Sequence, residues 1–195
     1  KAQVIAVIDC SGSMDGRYRS GEVQAIFEKM LALALVFDDD GQIPVVAFDS
    51  RTIVLPPATR ENFVGYVQRE IVDRHRLGGG TAYAPAMEAA MKQWNSSGDP
   101  GLVCVITDGN CDDRAATERL VCSASEAAIF WQFIGVGNES FDFLRKLDDL
   151  PVPTKRRIDN AGFTPVRSLS DLTFASLLNE FPSYLQKARA AGIVH

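Results

Sequence analysis

Four stretches of the chain are apolar almost without interruption: Val4–Ile8, Ile43–Phe48, Leu102–Thr107 and Ala128–Val136. Runs of this length, rich in β-branched residues, read as strands buried on both faces of a parallel sheet. Between them the apolar residues recur at helical spacing. Val23, Ile26, Phe27, Met30, Leu31, Leu33, Ala34, Leu35 and Phe37 predict a helix with apolar residues on more than one face, ended by Asp38-Asp39-Asp40-Gly41. Phe63, Val64, Val67 and Ile71 predict an amphipathic helix over Thr59–Asp73, with Thr59 as its cap. Tyr83, Ala86, Met87, Ala90, Met91 and Trp94 predict another, whose Met/aromatic stripe is read as core packing. Further helices are expected at Arg114–Ala124, around Phe141–Leu147, and from a Ser170-Asp171 cap onward, where Pro182 kinks or restarts the last one. Two short strands complete the pattern: Thr52–Leu55, stopped by Pro56-Pro57, and Phe163–Val166, confined by its proline to an edge. Arg17–Gly21 breaks the periodicity. Strands alternating with helices predict a doubly wound α/β fold, with a mainly parallel sheet and helices on both faces.

The 195 residues fit one domain, 1–195, and a start at Lys1 directly ahead of a strand suggests a domain cut from a longer protein. A net charge of -5 disfavours a nucleic-acid binder driven by phosphate contacts. No apolar run approaches the roughly 20 residues needed to span a bilayer, and no signal peptide is visible. Cys10, Cys104, Cys111 and Cys122 include no Cys-x-x-Cys pair. Cys10 and Cys111 fall on loops that could approach each other, so a disulfide or soft-metal site there competes with the favoured reading: reduced thiols and a cytoplasmic setting.

The chemistry concentrates at strand ends. The first strand runs into Asp9-Cys10-Ser11-Gly12-Ser13, and around Gly12 the backbone can turn so that Asp9, Ser11 and Ser13 face one side of a loop. Three oxygen ligands within five residues suit a hard cation that accepts neutral hydroxyls. Alone, Asp-x-Ser-x-Ser is a weak signal and fits an ordinary strand end with a Ser/Gly turn. Two further features add to it: Leu77-Gly78-Gly79-Gly80-Thr81 ahead of a helix, and Thr107-Asp108-Gly109 closing another buried strand. With these, the chain resembles the von Willebrand factor A (vWA) family, whose metal-ion-dependent adhesion site joins Asp-x-Ser-x-Ser to a distant Thr and a distant Asp.

One branch of that family is especially similar. Tyr18-x-x-Gly21-x-Val23-Gln24, Phe37-Asp38-Asp39-Asp40-Gly41, Phe130-Trp131-Gln132-Phe133, Phe143-Leu144-x-x-Leu147-Asp148 and Asp159-Asn160-Ala161-x-Phe163 resemble the TerF-type vWA domain of tellurium-resistance proteins, with copine-like A domains more distant. The likeness implies a parent protein in bacterial tellurite resistance and stress response, with Ca²⁺-binding TerD-type domains elsewhere in it. For this chain it implies Asp9, Ser11, Ser13, Thr81 and Asp108 as metal ligands. Mg²⁺ is the expected cation, and Mn²⁺ and Ca²⁺ are compatible with the same oxygens.

Three functions follow. The leading one is a non-enzymatic, metal-dependent protein-interaction module whose partner offers an acidic side chain to the cation. Few anionic ligands leave such a cation electrophilic, so an external carboxylate can compete for it. The second is a metal-dependent phosphatase- or hydrolase-like enzyme. Against it, a haloacid-dehalogenase-type phosphatase usually has a second carboxylate where Ser11 stands, no Gly-Lys-Ser/Thr follows Gly78–Gly80, and neither His75 nor His195 sits in a triad context. The third is a structural vWA domain with a vestigial metal site.

Overall fold

The computed structural model describes residues 1–37, 41–96, 98–152 and 154–194, without the side chains of Leu33, Ala34, Leu35 and Phe37. The expected helix stop at Asp38–Asp40 lies outside the described residues.

Six strands form one sheet in the order β3-β2-β1-β4-β5-β6. They are β1 (Gln3–Asp9), β2 (Gln42–Phe48), β3 (Thr52–Thr59), β4 (Gly101–Thr107), β5 (Ile129–Val136) and β6 (Ala161–Val166). All pairings are parallel except β2–β3. The fold is the mainly parallel α/β architecture expected. The helices are α1 (Asp15–Arg19), α2 (Glu22–Phe37), α3 (Tyr83–Gln93), α4 (Arg114–Ala124), α5 (Asp142–Asp148), α6 (Phe174–Leu177) and α7 (Phe181–Ala190).

Side chains alternate across the sheet, as the two-residue period of a strand demands. Val4, Ala6 and Ile8 of β1 and Leu102, Cys104 and Ile106 of β4 join Ile26, Phe27, Tyr66, Phe181 and Tyr184 on one face. Ile5, Val7, Val103 and Val105 join Tyr83, Met87, Val121, Trp131 and Leu144 on the other. Both cores are therefore needed to cover one set of strands, which is why β1, β4 and β5 read as unbroken apolar runs. The stripe on α3 is core as expected, with Tyr83, Ala86, Met87 and Ala90 fully buried.

Several local expectations are corrected. β3 does not stop at Pro56-Pro57 but continues through them to Thr59. It is the antiparallel edge strand, where a missing N–H faces outward, and a register shift between Ile43 and Val45 opposite absorbs the prolines. Thr59–Asp73 is not one amphipathic helix. Thr59 ends β3, and the chain then turns through Gly65, in a left-handed conformation (φ 65°), before a single π-helical stretch at Gln68–Val72. Arg17–Gly21 is largely the short helix α1, with Tyr18 buried against the core. The last helix is capped at Thr173 rather than at Ser170-Asp171, and it restarts at Pro182, one of the two outcomes expected there. Thr173 accepts a hydrogen bond from Ser176 N to cap α6, and Pro182 starts α7 in its first turn. Of the two readings of the cysteines the structure has the favoured one, free thiols, and not the competing Cys10–Cys111 disulfide. All four thiols are free, and Cys10 packs on one face of the sheet while Cys111 packs on the other.

Away from the strand ends considered below, the carboxylate of Asp148 is pushed up to about 7, first by burial, then by repulsion from Glu180, Asp159 and Asp149, with Arg156 opposing. A native carboxyl that holds its proton more tightly than the unfolded chain loses stability as pH rises through the window from about 4 to about 7. Asp148→Asn is therefore expected to raise the melting temperature at pH 8 and to have little effect at pH 4.5. Thermal melts of both proteins at the two pH values check this, and a difference that does not widen with pH rejects it.

Candidate metal site

The sheet order places β1 between β2 and β4, so the chain leaves β1 toward one side and returns to β4 on the other. Such a switch point opens a crevice beyond the carboxyl ends of the strands, where α/β folds bind ligands. Asp9 is the last residue of β1, and Asp108 follows β4 directly.

Asp9 is fully buried, yet its carboxylate meets hydrogen-bond donors and, among the described residues, no lysine or arginine. Oδ1 accepts Ser11 N at 2.8 Å and Oδ2 accepts the Thr107 hydroxyl at 2.7 Å. Thr107 spends its one hydrogen on Asp9, so the Tyr83 hydroxyl, 2.7 Å away, must donate to Thr107 Oγ1. Gly109 N also donates to that oxygen, at 3.1 Å. Burial pushes the Asp9 carboxyl up to about 6; the bonds from Ser11 and Thr107 pull the other way, and the nearby charge of Asp108 adds to the rise.

The other expected ligands surround this group unequally. Ser11 is buried, Ser13 is exposed in a single 3₁₀ turn at Gly12–Met14, and their hydroxyl oxygens lie 3.3 Å apart. Asp108 is buried and fixed by Asn110, whose backbone N and side-chain amide both donate to Oδ1, at 3.2 and 3.3 Å. The structure thus brings Asp9, Ser11, Ser13 and Asp108 into one neighbourhood. Thr81, also buried, is anchored elsewhere: its N–H donates to Asp112 Oδ2 at 2.6 Å and its carbonyl accepts Asp112 N at 2.8 Å. Its loop reaches the Asp9 loop through Gly78 N, which donates to Cys10 O at 3.1 Å. Asp112 pins Thr81 in this arrangement, and a Cβ on Gly80 would stand 2.3 Å from Asp112 Oδ2.

Supporting residues missed in the sequence reading include Tyr18, whose hydroxyl donates to the Asp9 carbonyl at 2.8 Å. Asp113 accepts both Tyr83 N and Ala84 N at 2.9 Å, so it caps α3 where Ala82 has no side chain to do so. Beside the Asp108 loop, Phe141 adopts a left-handed conformation (φ 56°), rare for an aromatic residue. Its ring lies where a Cβ on Gly109 or Gly135 would come within 2.8 Å.

No lysine or arginine among the described residues bonds to Asp9 or Asp108, and two adjacent carboxylates among hydroxyls match the donor set of a hard cation. Among the described residues no group of three or more His, Cys, Asp or Glu could hold a metal ion. A cation here would rest on Asp9 and Asp108 with hydroxyls and water.

The profile of the family described as "vWA found in TerF C terminus" matches residues 1–194. The chain belongs to this TerF-type branch of the vWA family. The vWA domain is 36% identical over 202 residues to the uncharacterized protein YcbR of Bacillus subtilis (strain 168), covering 99% of this chain and 81% of YcbR. It is 28% identical to the E3 ubiquitin-protein ligase RGLG5 of Arabidopsis thaliana, covering 82% of this chain but 44% of that protein. Among solved structures, the von Willebrand factor type A protein of Catenulispora acidiphila shares the fold, with a TM-score of 0.61 at 20% identity over 94% of this chain and 42% of that one. The SpRpn10 VWA domain does so with a TM-score of 0.61 at 13% identity, over 87% of this chain and 92% of that one.

Asp113→Ala is expected to cost about 1–2 kcal/mol of stability by leaving the first amides of α3 without an acceptor. Urea unfolding measures it, and a change well under half a kcal/mol would show that water replaces the cap without loss.

Proposed function

We propose that the vWA domain is a metal-dependent protein-interaction module that binds an acidic side chain of its partner. The observation that carries this reading is the buried Asp9 carboxylate, which faces Asp108, the Ser11 amide and the Thr107 hydroxyl and, among the described residues, pairs with no lysine or arginine. Asp9, Asp108, Ser11, Ser13 and Thr81 are the residues that would hold Mg²⁺. Bound there with few anionic ligands, Mg²⁺ would supply a Lewis-acidic position open to an external carboxylate.

The chain's own residues prepare that position. Thr107 and Tyr83 hold the Asp9 carboxylate from below the strand ends, Asn110 holds Asp108, and Asp112 holds Thr81. RGLG5, of which the chain spans 44%, supports a domain that is carried within larger proteins as well as in YcbR, of which it spans 81%. Membership of the TerF-type branch is shown by the family match; from the resemblance to tellurium-resistance proteins we further propose a place in that stress response, with a binding rather than a catalytic role, in the cytoplasm. No described helix is long and apolar enough to cross a membrane.

Mg²⁺ or Mn²⁺ is expected to stabilise metal-stripped protein by about 2.7 kcal/mol at a hundredfold excess over its dissociation constant. Asp108→Ala and Thr81→Ala should stay folded, because both residues, though buried, lie on loops outside the two apolar cores, and both should lose partner capture in pull-downs. Capture should also be lost in EDTA, and phosphate esters should not be turned over. A melting temperature indifferent to metal, or capture that survives EDTA, rejects the proposal. Metal-dependent turnover lost in Asp9→Asn would replace binding with catalysis.

A further inference from the structure

Next to the candidate metal site is a second concavity, of about 360 Å³, lined by Asp49, Ser50, Arg51, Arg76, Gly78 and Gly79. The two share the Gly78 backbone, whose N–H bonds Cys10 O at 3.1 Å and whose Cα would lie 3.8 Å from a Cβ on Gly12. The charges within it are not equivalent. Asp49 is 1% exposed, and its carboxylate is saturated by Arg51: Oδ1 accepts the backbone N at 2.6 Å and Nε at 3.1 Å, while Oδ2 accepts Nη2 at 2.6 Å. The bond from Arg51 holds the Asp49 carboxyl below its usual range, so this pair is ionised and cancels itself.

Arg76 is different. It is exposed, and among the described residues no carboxylate pairs with its guanidinium. Its backbone is also fixed at the rim, where Arg51 Nη2 donates to Arg76 O at 3.4 Å. Beside it the space where a Gly78 Cβ would sit has nothing within 4 Å. On a chain of net charge -5, the concavity therefore presents one arginine that no carboxylate among the described residues pairs; the Asp112 carboxylate lies beyond Ser50, where it accepts Thr81 N.

We propose that this concavity is a second acid-binding subsite, and that the domain recognises a peptide segment with two carboxylates, one for the metal site and one for Arg76. The proposal rests on the metal-site reading above. A single planar guanidinium matches one carboxylate through two parallel N–H···O bonds. A phosphate could use the same fork, but its second negative charge would face the neighbouring acids of a chain of net charge -5, with Arg51 already committed to Asp49. The two subsites together convert a weak single-acid contact into a spaced pattern, because the second contact forms within an already tethered ligand.

The test uses capped Gly/Ser peptides carrying one Glu, or two Glu separated by one to four residues, titrated into the Mg²⁺-loaded chain by fluorescence polarisation. Two-Glu peptides at the best spacing are expected to bind about fivefold tighter than one-Glu peptides, the scale of one exposed ion pair. In Arg76→Ala that gain should vanish while one-Glu binding is unchanged, and it should weaken as salt rises. A gain that persists in Arg76→Ala, or none in the wild type, overturns the subsite. Tighter binding when the second Glu is replaced by phosphoserine overturns its assignment to a carboxylate. Mn²⁺ binding followed by paramagnetic resonance separates the two readings. If Mn²⁺ loads but no peptide binds, acid recognition fails; if Mn²⁺ does not load, the metal site fails and the subsite with it.

Discussion

The carboxyl edge of the sheet is organised by one constraint: Asp9 carries a carboxylate at the end of the central strand, out of contact with water. An isolated ionised group there would be costly. The neighbouring strands lower that cost, since Thr107 of β4 donates to one oxygen and the turn after β1 supplies Ser11 N to the other. On the β2 side, Cys10 N donates to Phe48 O at 2.7 Å and closes the turn against the sheet. The loop with the Asp-x-Ser-x-Ser residues is thus spliced to rigid strands on both sides. What these donors leave unmet is net charge, because they are all neutral and Asp108 adds a second acid. That remaining imbalance favours a cation.

The same requirement joins the site to the core. Tyr83 is buried among Phe48 and Phe143, with ring centroids 5.4 and 6.4 Å away, and looks from its spacing like any other apolar position on α3. Its hydroxyl nevertheless ends the chain of bonds that steadies Asp9. Asp113 in turn fixes the start of α3, so Tyr83, the Thr81 loop and the segment after Asp108 are held by neighbouring residues of one short stretch, Asp112-Asp113.

Which parts were legible in the sequence follows from the range of the forces involved. β1, β4 and β5 could be read because burial on both faces makes the whole run apolar, and Asp9, Ser11 and Asp108 because a strand end followed by Ser/Gly or Asp-Gly is a local signal. Thr59–Asp73 misled because Phe63, Val67 and Ile71 keep a helical spacing across a left-handed Gly65 that breaks the helix. Pro56-Pro57 misled because their cost depends on whether the strand is at an edge, which local residues do not state. Asp112 and Asp113 were illegible for another reason. The amides they accept lie about thirty residues upstream, and a cap supplied from that distance leaves no mark beside the helix it caps.

The separation of Cys10 and Cys104 from Cys111 by the sheet has a consequence for chemical labelling. Burial pushes all three thiols up to about 12, so in the native state they are present as unreactive thiols, whereas Cys122 on α4 is only half-buried. A thiol reagent should modify Cys122 first and reach the others only through opening of the structure. Because Cys10 and Cys104 report on one layer of helices and Cys111 on the opposite layer, their alkylation rates would time the loosening of each layer separately. The two sides of the sheet can then be followed as independent clocks within one unmodified chain.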